Sequence, residues 1–560
     1  MSTIRTLLLD AAAQRGDGIA LRWKSEGVWR TWTYADYLKL ARMIAEAVGK
    51  LGIKPGQRVA MMLENRPEWM VVYLGLACCG IQVVPIDARL QEREVAHILN
   101  DSEACALFAS GKLWPLINEI AGGLSALRHV IFLDGAVKEP RKIGSVRYHD
   151  YDALLASAEA DAEKADAFFD RHVPAAADIA SIIYTSGTTG RPKGAMLTHG
   201  NFIAQLDEGA FQYFTVHEWD NFLLVLPLHH ALAFTANMIV PIASKCEVSM
   251  IENLRTITEN MREVSPTILL AVPLLAEKMH NAIMAKLRKN FTARILLAIG
   301  LGRIVGKKVI DSLGGRLRII VCGGAAADVV ALKNFTKFGI KALEGYGLTE
   351  TAPIITLAPE KKIKFGTVGK ALPNCEIRIA DPTDEGVGEI QVRGPMVMKG
   401  YFRNEAATAE VFDGPWFRTG DLGKMDSEGY VTITGRKKSL IVNREGKNIY
   451  PEEVEMVVNA SPYILESIVV GYHAGGEKGE RVGIIVVPDM DRIGEDHSAK
   501  GQSLSDDQIV ELCKSEVRRM AREIAEYKHP RRISVRFEPF QKTTTQKIKR
   551  YLYSMADLEE

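Results

Sequence analysis

The sequence predicts an α/β fold. It reads as a large amino-terminal domain of two α/β subdomains plus a small β-barrel-like subdomain, followed by a small α+β carboxy-terminal domain. Three observations predict this. Between residues 57 and 134 short apolar runs alternate with helical patterns, and strands separated by helices imply a mostly parallel, covered sheet. The same alternation resumes between 221 and 322. Beyond about 365 it gives way to short strands punctuated by Gly366, Gly369, Asp384-Glu385-Gly386, Asp413-Gly414-Pro415 and Ser427-Glu428-Gly429, an antiparallel pattern.

In chain order, Thr33 to Leu51 reads as an amphipathic helix, with Thr33 as cap, Asp36 three residues on, and Leu38, Ala41, Ile44, Ala45 and Val48 on one face. Strands are expected at 57–63, 81–87, 104–110 and 129–134, and helices at 67–79, 91–102 and 112–122. Residues 155–177, rich in Ala, Asp and Glu, read as a connecting segment, helical or irregular. Strands follow at 221–228, 247–252, 267–273 and 316–322. In the last part Pro451 opens a helix whose first turn carries Glu452 and Glu453, suited to the helix dipole. Strands at 468–470 and 482–487 and a helix over about 505–527 complete it, before a basic tail. The domain boundaries read as 1–437 and 438–560, with the α/β subdomains within about 1–364 and the β subdomain over about 365–436.

Composition narrows the class. Of the 560 residues 47% are apolar and 25% charged, with a formal charge of +1, so nothing global points to nucleic acid. Seven cysteines without a C-x-x-C pair read as reduced, buried thiols of a cytoplasmic protein, and no metal-ligand cluster stands out. The amino terminus lacks the pattern of a signal peptide. Gly75, Gly80, Gln82 and Pro85 interrupt the apolar run Met70 to Ile86, which fits a buried helix and strand better than a membrane span.

One loop dominates: Tyr184-Thr185-Ser186-Gly187-Thr188-Thr189-Gly190-Arg191-Pro192-Lys193-Gly194, between two short apolar runs that read as strands. Glycine lets backbone N–H groups approach phosphate oxygens; the hydroxyls add donors and Lys193 adds charge. That inventory suits a nucleoside triphosphate, although a flexible surface loop has similar composition. It is not a Walker A loop, because Arg-Pro-Lys-Gly follows Gly190 and no helix pattern begins there. A second candidate is Glu344-Gly345-Tyr346-Gly347-Leu348-Thr349-Glu350-Thr351, where Tyr346 can lie against a purine and Glu350 can hold Mg²⁺. Alone it is equally a tight turn with a solvated glutamate.

The string YTSGTTGRPKGAMLTH resembles the signature loop of the adenylate-forming superfamily, and the resemblance extends over nearly the whole chain. It implies that Thr349 meets the phosphates, Glu350 the metal and Tyr346 adenine, with Gly323-Gly324-Ala325-Ala326 as the adenine-side wall. Ala326 stands where the family often has proline. Trp416-Phe417-Arg418-Thr419-Gly420-Asp421 resembles the T-G-D motif, which implies that Asp421 accepts from the ribose hydroxyls. Arg436 matches the arginine at the ribose and Lys438 the interdomain hinge, with Ser439 where many members have aspartate. His230, in LPLHHALAFT, matches a gate beside the acyl pocket, and Gly446-Lys447-Asn448 resembles the turn lining the CoA tunnel. Lys547 matches the adenylation lysine of a P-K-T-x-x-G-K-I-x-R tail, in which Gln541 replaces the proline and Gln546 the glycine.

The resemblance implies an AMP-forming acyl-CoA synthetase that uses ATP, Mg²⁺ and coenzyme A, and most resembles bacterial medium- or long-chain fatty acyl-CoA synthetases. An aryl or short-chain acid, and an acyl-AMP ligase that loads a carrier protein, remain open. A nucleotide sensor is disfavoured by the joint presence of Lys193, Glu350, Asp421, Arg436 and Lys547. Residues 286–308 mix seven cationic side chains with Ile295, Leu296, Leu297 and Ile304, a pattern shared by solvated helix faces and by helices that lie on anionic membrane. The chain therefore reads as cytoplasmic, with peripheral contact at the inner membrane face and the oligomeric state left open.

Overall fold

Thr33 caps the helix Tyr34–Lys50 as the spacing predicts. Its hydroxyl accepts from Asp36 N–H at 3.1 Å while Asp36 Oδ2 accepts from Thr33 N–H at 2.8 Å, so each side chain satisfies the other residue's otherwise orphaned N–H donor. The computed structural model describes residues 2–554 apart from 136–140, 165, 186–190, 207–208, 290, 292–294, 296–301, 446, 474–478, 499–503 and 543–547. The chain divides into two compact units. The first comprises Met1–Ile377, Val392–Phe417 and Gly429–Val431, and the second Arg378–Gln391, Arg418–Glu428 and Thr432–Glu560.

Two large sheets build the first unit. In the eight-stranded sheet, strands Gln82–Ile86, Arg58–Met62, Ala106–Ala109, His129–Phe132 and Val146–Asp150 run parallel in that spatial order. Ile179–Thr185 joins Gln82–Ile86 in parallel, and Lys193–Thr198 closes that edge antiparallel. The nine-stranded sheet has a parallel centre of Lys341–Tyr346, Ile319–Cys322, Ile268–Ala271, Asn221–Leu224, Glu247–Met250 and Ile19–Ser25, with antiparallel strands at both edges. Ile19–Ser25 and Val28–Thr33 form a hairpin that the periodicity does not announce. Its strands are short and mostly half-exposed, with Trp23 and Trp32 in contact at 4.9 Å between ring centroids. The segment after 150 is helical over Tyr151–Ala162, capped by Asp150.

The apolar run at 70–86 is a buried helix, Pro67–Ala77, followed by a strand. Trp69 and Tyr73 stack at 5.6 Å, Phe234 packs on both, and the Tyr73 hydroxyl meets Ser181 Oγ at 2.6 Å. Among the described residues no helix is long and apolar enough to cross a membrane. All seven thiols are free, and burial pushes those of Cys78, Cys246, Cys322 and Cys375 up to about 12, which makes them poor nucleophiles.

After 365, strands Glu376–Ala380, Gly388–Arg393, Phe412–Asp413, Trp416–Met425 and Val431–Arg436 make a five-stranded sheet. In the second unit, Ile464–Tyr472 and Arg481–Pro488 pair antiparallel and Arg532–Val535 joins in parallel. Helices Pro451–Val458 and Asp506–Ala521 cover this sheet through Val454, Val458, Ile509, Cys513 and Val517.

Buried imidazoles give the first unit a pH dependence. His129 Nδ1 and His149 Nε2 share one hydrogen bond at 3.0 Å, and burial and mutual repulsion lower His129 to about 4. His199 accepts from Ile4 N–H through Nδ1, and burial lowers it to about 4 as well. Their folded pKa values lie below the ordinary imidazole value of about 6.5. Their stabilising contribution is complete above that value and is lost as pH falls toward about 4. Glu344 works in the opposite sense. Burial raises it to about 7 against hydrogen bonds from Ala327 and Gly366 N–H, and its contribution is lost as pH rises through 7. The thermal midpoint is expected to fall between pH 6.5 and 5, and to fall less when His129 and His149 are both replaced by Gln. Equal slopes for the two proteins would contradict this account.

Candidate functional site

The glycine-rich loop joins two strands in a fixed register. Thr185 lies opposite Lys193 and Tyr184 opposite Gly194, so the two ends of the motif sit side by side in the sheet. Ser186, Gly187, Thr188, Thr189 and Gly190 lie outside the described residues. The Tyr184 hydroxyl donates to Asp101 Oδ2 at 2.5 Å, which anchors the entering strand. Gly194 must be small: a Cβ there would approach Ile182 Cγ2 to 2.7 Å.

Residues 399–402 lie alongside the exit strand. Met196 N–H donates to Gly400 O, Lys399 N–H to Met196 O and Phe402 N–H to Gly194 O, at 2.7–3.0 Å. This pairing carries Tyr401 to the loop. The Lys193 ammonium sits 5.3 Å from the centre of the Tyr401 ring, and the Tyr401 hydroxyl donates to Glu350 Oε1 at 2.9 Å. Glu350 is 8% exposed, and its backbone carbonyl accepts from Met398 N–H at 2.8 Å. Lys193 and Glu350, 157 positions apart in sequence, are thus joined through one tyrosine.

The turn that carries Glu350 starts at a strand end. Ile319–Cys322 and Lys341–Tyr346 are parallel neighbours with Cys322 opposite Glu344, so Gly323-Gly324-Ala325 and Glu344-Gly345-Tyr346-Gly347 leave the same end of the sheet. Carboxyl ends of parallel strands are where open α/β sheets bind ligands. Gly324 has φ +91° and Ala325 is exposed. Tyr346 is buried, and Thr349–Thr351 forms a single 3₁₀ turn in which the Thr351 hydroxyl accepts from Leu348 N–H at 3.0 Å. The loop holding His229 and His230 follows Asn221–Leu224 at this same end. Asn65, just past a strand of the other sheet, clamps it by accepting from Leu228 N–H and donating to Leu226 O, both at 2.9 Å.

The second unit brings two further predicted residues together. Arg436 Nε meets Asp421 Oδ1 at 2.9 Å, with Asp421 3% exposed. Thr419 Oγ1 accepts from Asp421 N–H at 3.0 Å and donates to Ile390 O at 2.7 Å, which fixes the turn. Lys438 lies in the 3₁₀ turn Lys437–Ser439, beside Lys437, whose ammonium pairs with Glu389 at 2.9 Å. Lys447 lies 4.6 Å from the Tyr527 ring centre; Gly446 is outside the described residues. Lys547 is outside them too, between Lys542 and Ile548, which form an isolated bridge.

Comparison with known proteins decides the family. The family model described as AMP-binding enzyme matches residues 8–402. The chain belongs to the AMP-binding enzyme family. It is 33% identical to a long-chain-fatty-acid–CoA ligase of Mycobacterium bovis, over 80% of this chain and 76% of that one. It is 31% identical to a long-chain-fatty-acid–CoA ligase of Escherichia coli O157:H7, over 87% and 83%. Among solved structures it resembles ATP-bound MatB from Rhodopseudomonas palustris, with 25% identity, 98% coverage of each chain and a TM-score of 0.76.

Two residues of this AMP-binding enzyme escape the sequence reading. Tyr401 carries no motif signal, because its importance comes from strand pairing that only the fold supplies. Asp87, 142 positions before His229, lies within 3.3 Å of that histidine's Nε2, so a group with metal-ligand character exists where the sequence spacing shows none. Gly347 has a steric requirement of its own: a Cβ there would sit 1.9 Å from Pro353 O. Gly347→Ala is therefore expected to displace the Tyr346–Glu350 turn. ATP affinity, measured by calorimetry, should fall at least about tenfold, the effect of about 1.4 kcal/mol of lost binding. Wild-type affinity in this variant would rule out a tightly packed turn.

Proposed function

We propose that this chain is an AMP-forming acyl-CoA synthetase that activates a long-chain fatty acid with ATP and Mg²⁺ and transfers it to coenzyme A. The observation that carries the reading is the 33% and 31% identity, over most of the chain, to two long-chain-fatty-acid–CoA ligases. The junction of Lys193, Tyr401 and Glu350 supports it chemically.

A carboxylate is a poor acyl donor, since its leaving group would be oxide. Its oxygen attacks the α-phosphorus of ATP, the bond to the β-phosphate oxygen breaks, and pyrophosphate leaves. Little covalent work falls to the protein; positioning and charge neutralisation carry the step. The loop from Thr185 to Lys193 cradles the leaving phosphates, with Ser186, Gly187, Thr188, Thr189 and Gly190 supplying N–H and hydroxyl donors. Thr349 adds a hydroxyl on the same side. Tyr346 covers adenine, with Gly324, Ala325, Glu344, Gly345 and Gly347 shaping its pocket. Asp421, oriented by Arg436, accepts from the ribose.

Glu350 fits a hard, oxygen-seeking cation. Its carboxylate is buried and Oε1 receives the Tyr401 hydroxyl, which leaves Oε2 as donor among the described residues. Mg²⁺ bound there would supply positive charge to the phosphates. Lys547 holds the carboxylate and the α-phosphate together as negative charge builds. The CoA thiolate then attacks the acyl carbon and the bond to AMP breaks. Between the two steps the domain from 438 onward turns about Lys438, which withdraws Lys547 and brings Gly446 and Lys447 to the pantetheine. His230 gates the acyl pocket. Exposed Phe291, Ile295 and Ile304 beside the basic stretch at 286–308 suit peripheral contact with the membrane that holds such an acid.

The test is a pyrophosphate-release screen over carboxylic acids of graded chain length, with and without CoA. Release that peaks with long-chain acids and yields acyl-CoA and AMP is expected. A peak with aryl or short-chain acids, ADP as product, or transfer to a holo carrier protein in preference to CoA would overturn the reading.

A further inference from the structure

Three ligand-bearing side chains converge in the first unit. Asp87 follows the strand Gln82–Ile86, and His229 and His230 lie in the turn after Asn221–Leu224. One carboxylate oxygen and one ring nitrogen from each histidine all lie within 4.8 Å of one another. The site is shielded: Asp87 and His229 side chains are 7% and 10% exposed.

The contact between Asp87 and His229 is the informative one. Oδ2 and Nε2 are 3.3 Å apart. A charge-assisted hydrogen bond closes to about 2.7–2.9 Å. Here the alignment falls short of one, and among the described residues Nε2 is buried with only the Asp87 carboxylate beside it, an incomplete pairing that ordinarily costs stability. The separation instead matches two donors on one tetrahedral ion, since bonds of about 2.0–2.1 Å set neighbouring ligands about 3.3–3.4 Å apart.

We propose that Asp87, His229 and His230 form a binding site for a first-row divalent metal ion, Zn²⁺ by preference, with three protein ligands and one open position. Two imidazoles and one carboxylate favour zinc or cobalt over Mg²⁺, which demands oxygen ligands, so this site and the oxygen donor of Glu350 select different ions. The outer contacts also suit a ligating carboxylate. Asp87 Oδ1 accepts from Arg89 N–H at 3.0 Å and from Arg89 Nε at 3.1 Å, which holds the carboxylate with Oδ2 toward the histidines. Arg89 also reaches Oδ2 at 3.3 Å, from a side chain that is 54% exposed. An ion at Oδ2 displaces that one contact and leaves the other two. Occupancy ties the ring of His230, so metal binding and the position of that gate are coupled. The binding itself does not depend on the synthetase reading.

The experiment is titration of the full-length, chelator-stripped protein with Co²⁺, followed by visible absorbance. Expected are one saturating equivalent with the intense d–d bands of a four- or five-coordinate ion, no thiolate charge-transfer band, and displacement by Zn²⁺ but not by Mg²⁺. Asp87→Asn, nearly isosteric, and His229→Ala should each weaken binding at least tenfold. A Zn²⁺-dependent rise in the thermal midpoint should be present in the wild type and absent in Asp87→Asn, which separates lost binding from lost folding. Absent d–d bands, a thiolate charge-transfer band, or binding that survives in either variant would overturn the proposal and leave Asp87–His229 as an ordinary ion pair.

Discussion

Glu350→Gln is expected to lower carboxylate-dependent exchange of pyrophosphate into ATP by roughly 10²–10³, the scale of losing one preorganised electrostatic contact to a reacting phosphate. The Mg²⁺ concentration for half-maximal rate should rise as well. The substitution keeps shape and removes charge: Gln can present its carbonyl oxygen to the Tyr401 hydroxyl, which now donates to Glu350 Oε1 at 2.9 Å. Met398 N–H bonds to the backbone of residue 350, not its side chain, so local folding has no reason to fail. Tyr401→Phe tests the positioning role separately. It deletes the hydroxyl but keeps the aromatic face beside Lys193, 5.3 Å away. A smaller loss, of roughly tenfold, is expected, equivalent to about 1.4 kcal/mol. Because the two residues share one hydrogen bond, their double variant should lose less than the product of the single losses. Full activity with an unchanged Mg²⁺ requirement in Glu350→Gln would remove the metal from this carboxylate.

The contrast between Glu350 and Tyr401 shows what the sequence makes legible. Periodicity locates the parallel strands, because a buried strand between helices is a local pattern: 57–63 and 81–87 are observed as Arg58–Met62 and Gln82–Ile86. The cap at Thr33 is local too. The hairpin of Ile19–Ser25 and Val28–Thr33 is harder to see, since its half-exposed residues gain their place only by pairing with Glu247–Met250, more than two hundred positions away. The same holds at the site. Lys193 and Glu350 are visible as motif residues, but nothing in either motif states that one tyrosine links them. That information resides in 399–402, which pairs with the exit strand of the loop and delivers Tyr401 between them. Asp87 is silent for the same reason: an aspartate after a strand is ordinary until the turn after Asn221–Leu224, clamped by Asn65, lays two histidines beside it.

Lys547→Ala is expected to separate the two half-reactions. Adenylation from acid and ATP should drop by roughly 10²–10⁴, the range for removing one stabilising group from a charged transition state. Conversion of supplied acyl-adenylate and CoA to acyl-CoA should stay within about threefold of wild type, about 0.6 kcal/mol. The asymmetry follows from charge. In the first step two anions, carboxylate and α-phosphate, must approach, and on the proposed role a single ammonium between them would offset their repulsion. In the second, a thiolate attacks a carbonyl carbon already activated by its adenylate, and no second anion has to be brought to phosphorus. The surrounding structure makes the variant a clean test. Lys542 pairs with Glu466 at 2.5 Å and Lys549 N–H donates to Gln541 O at 2.9 Å. Arg550 pairs with Glu455 and lies 3.7 Å from Glu452, while the Tyr553 hydroxyl accepts from Gln541 N–H at 2.6 Å. The described residues on both sides of the segment are thus fastened to the second unit by groups other than Lys547. Equal loss in both half-reactions would mean that this lysine holds the domain in place and takes no part in joining carboxylate to phosphate.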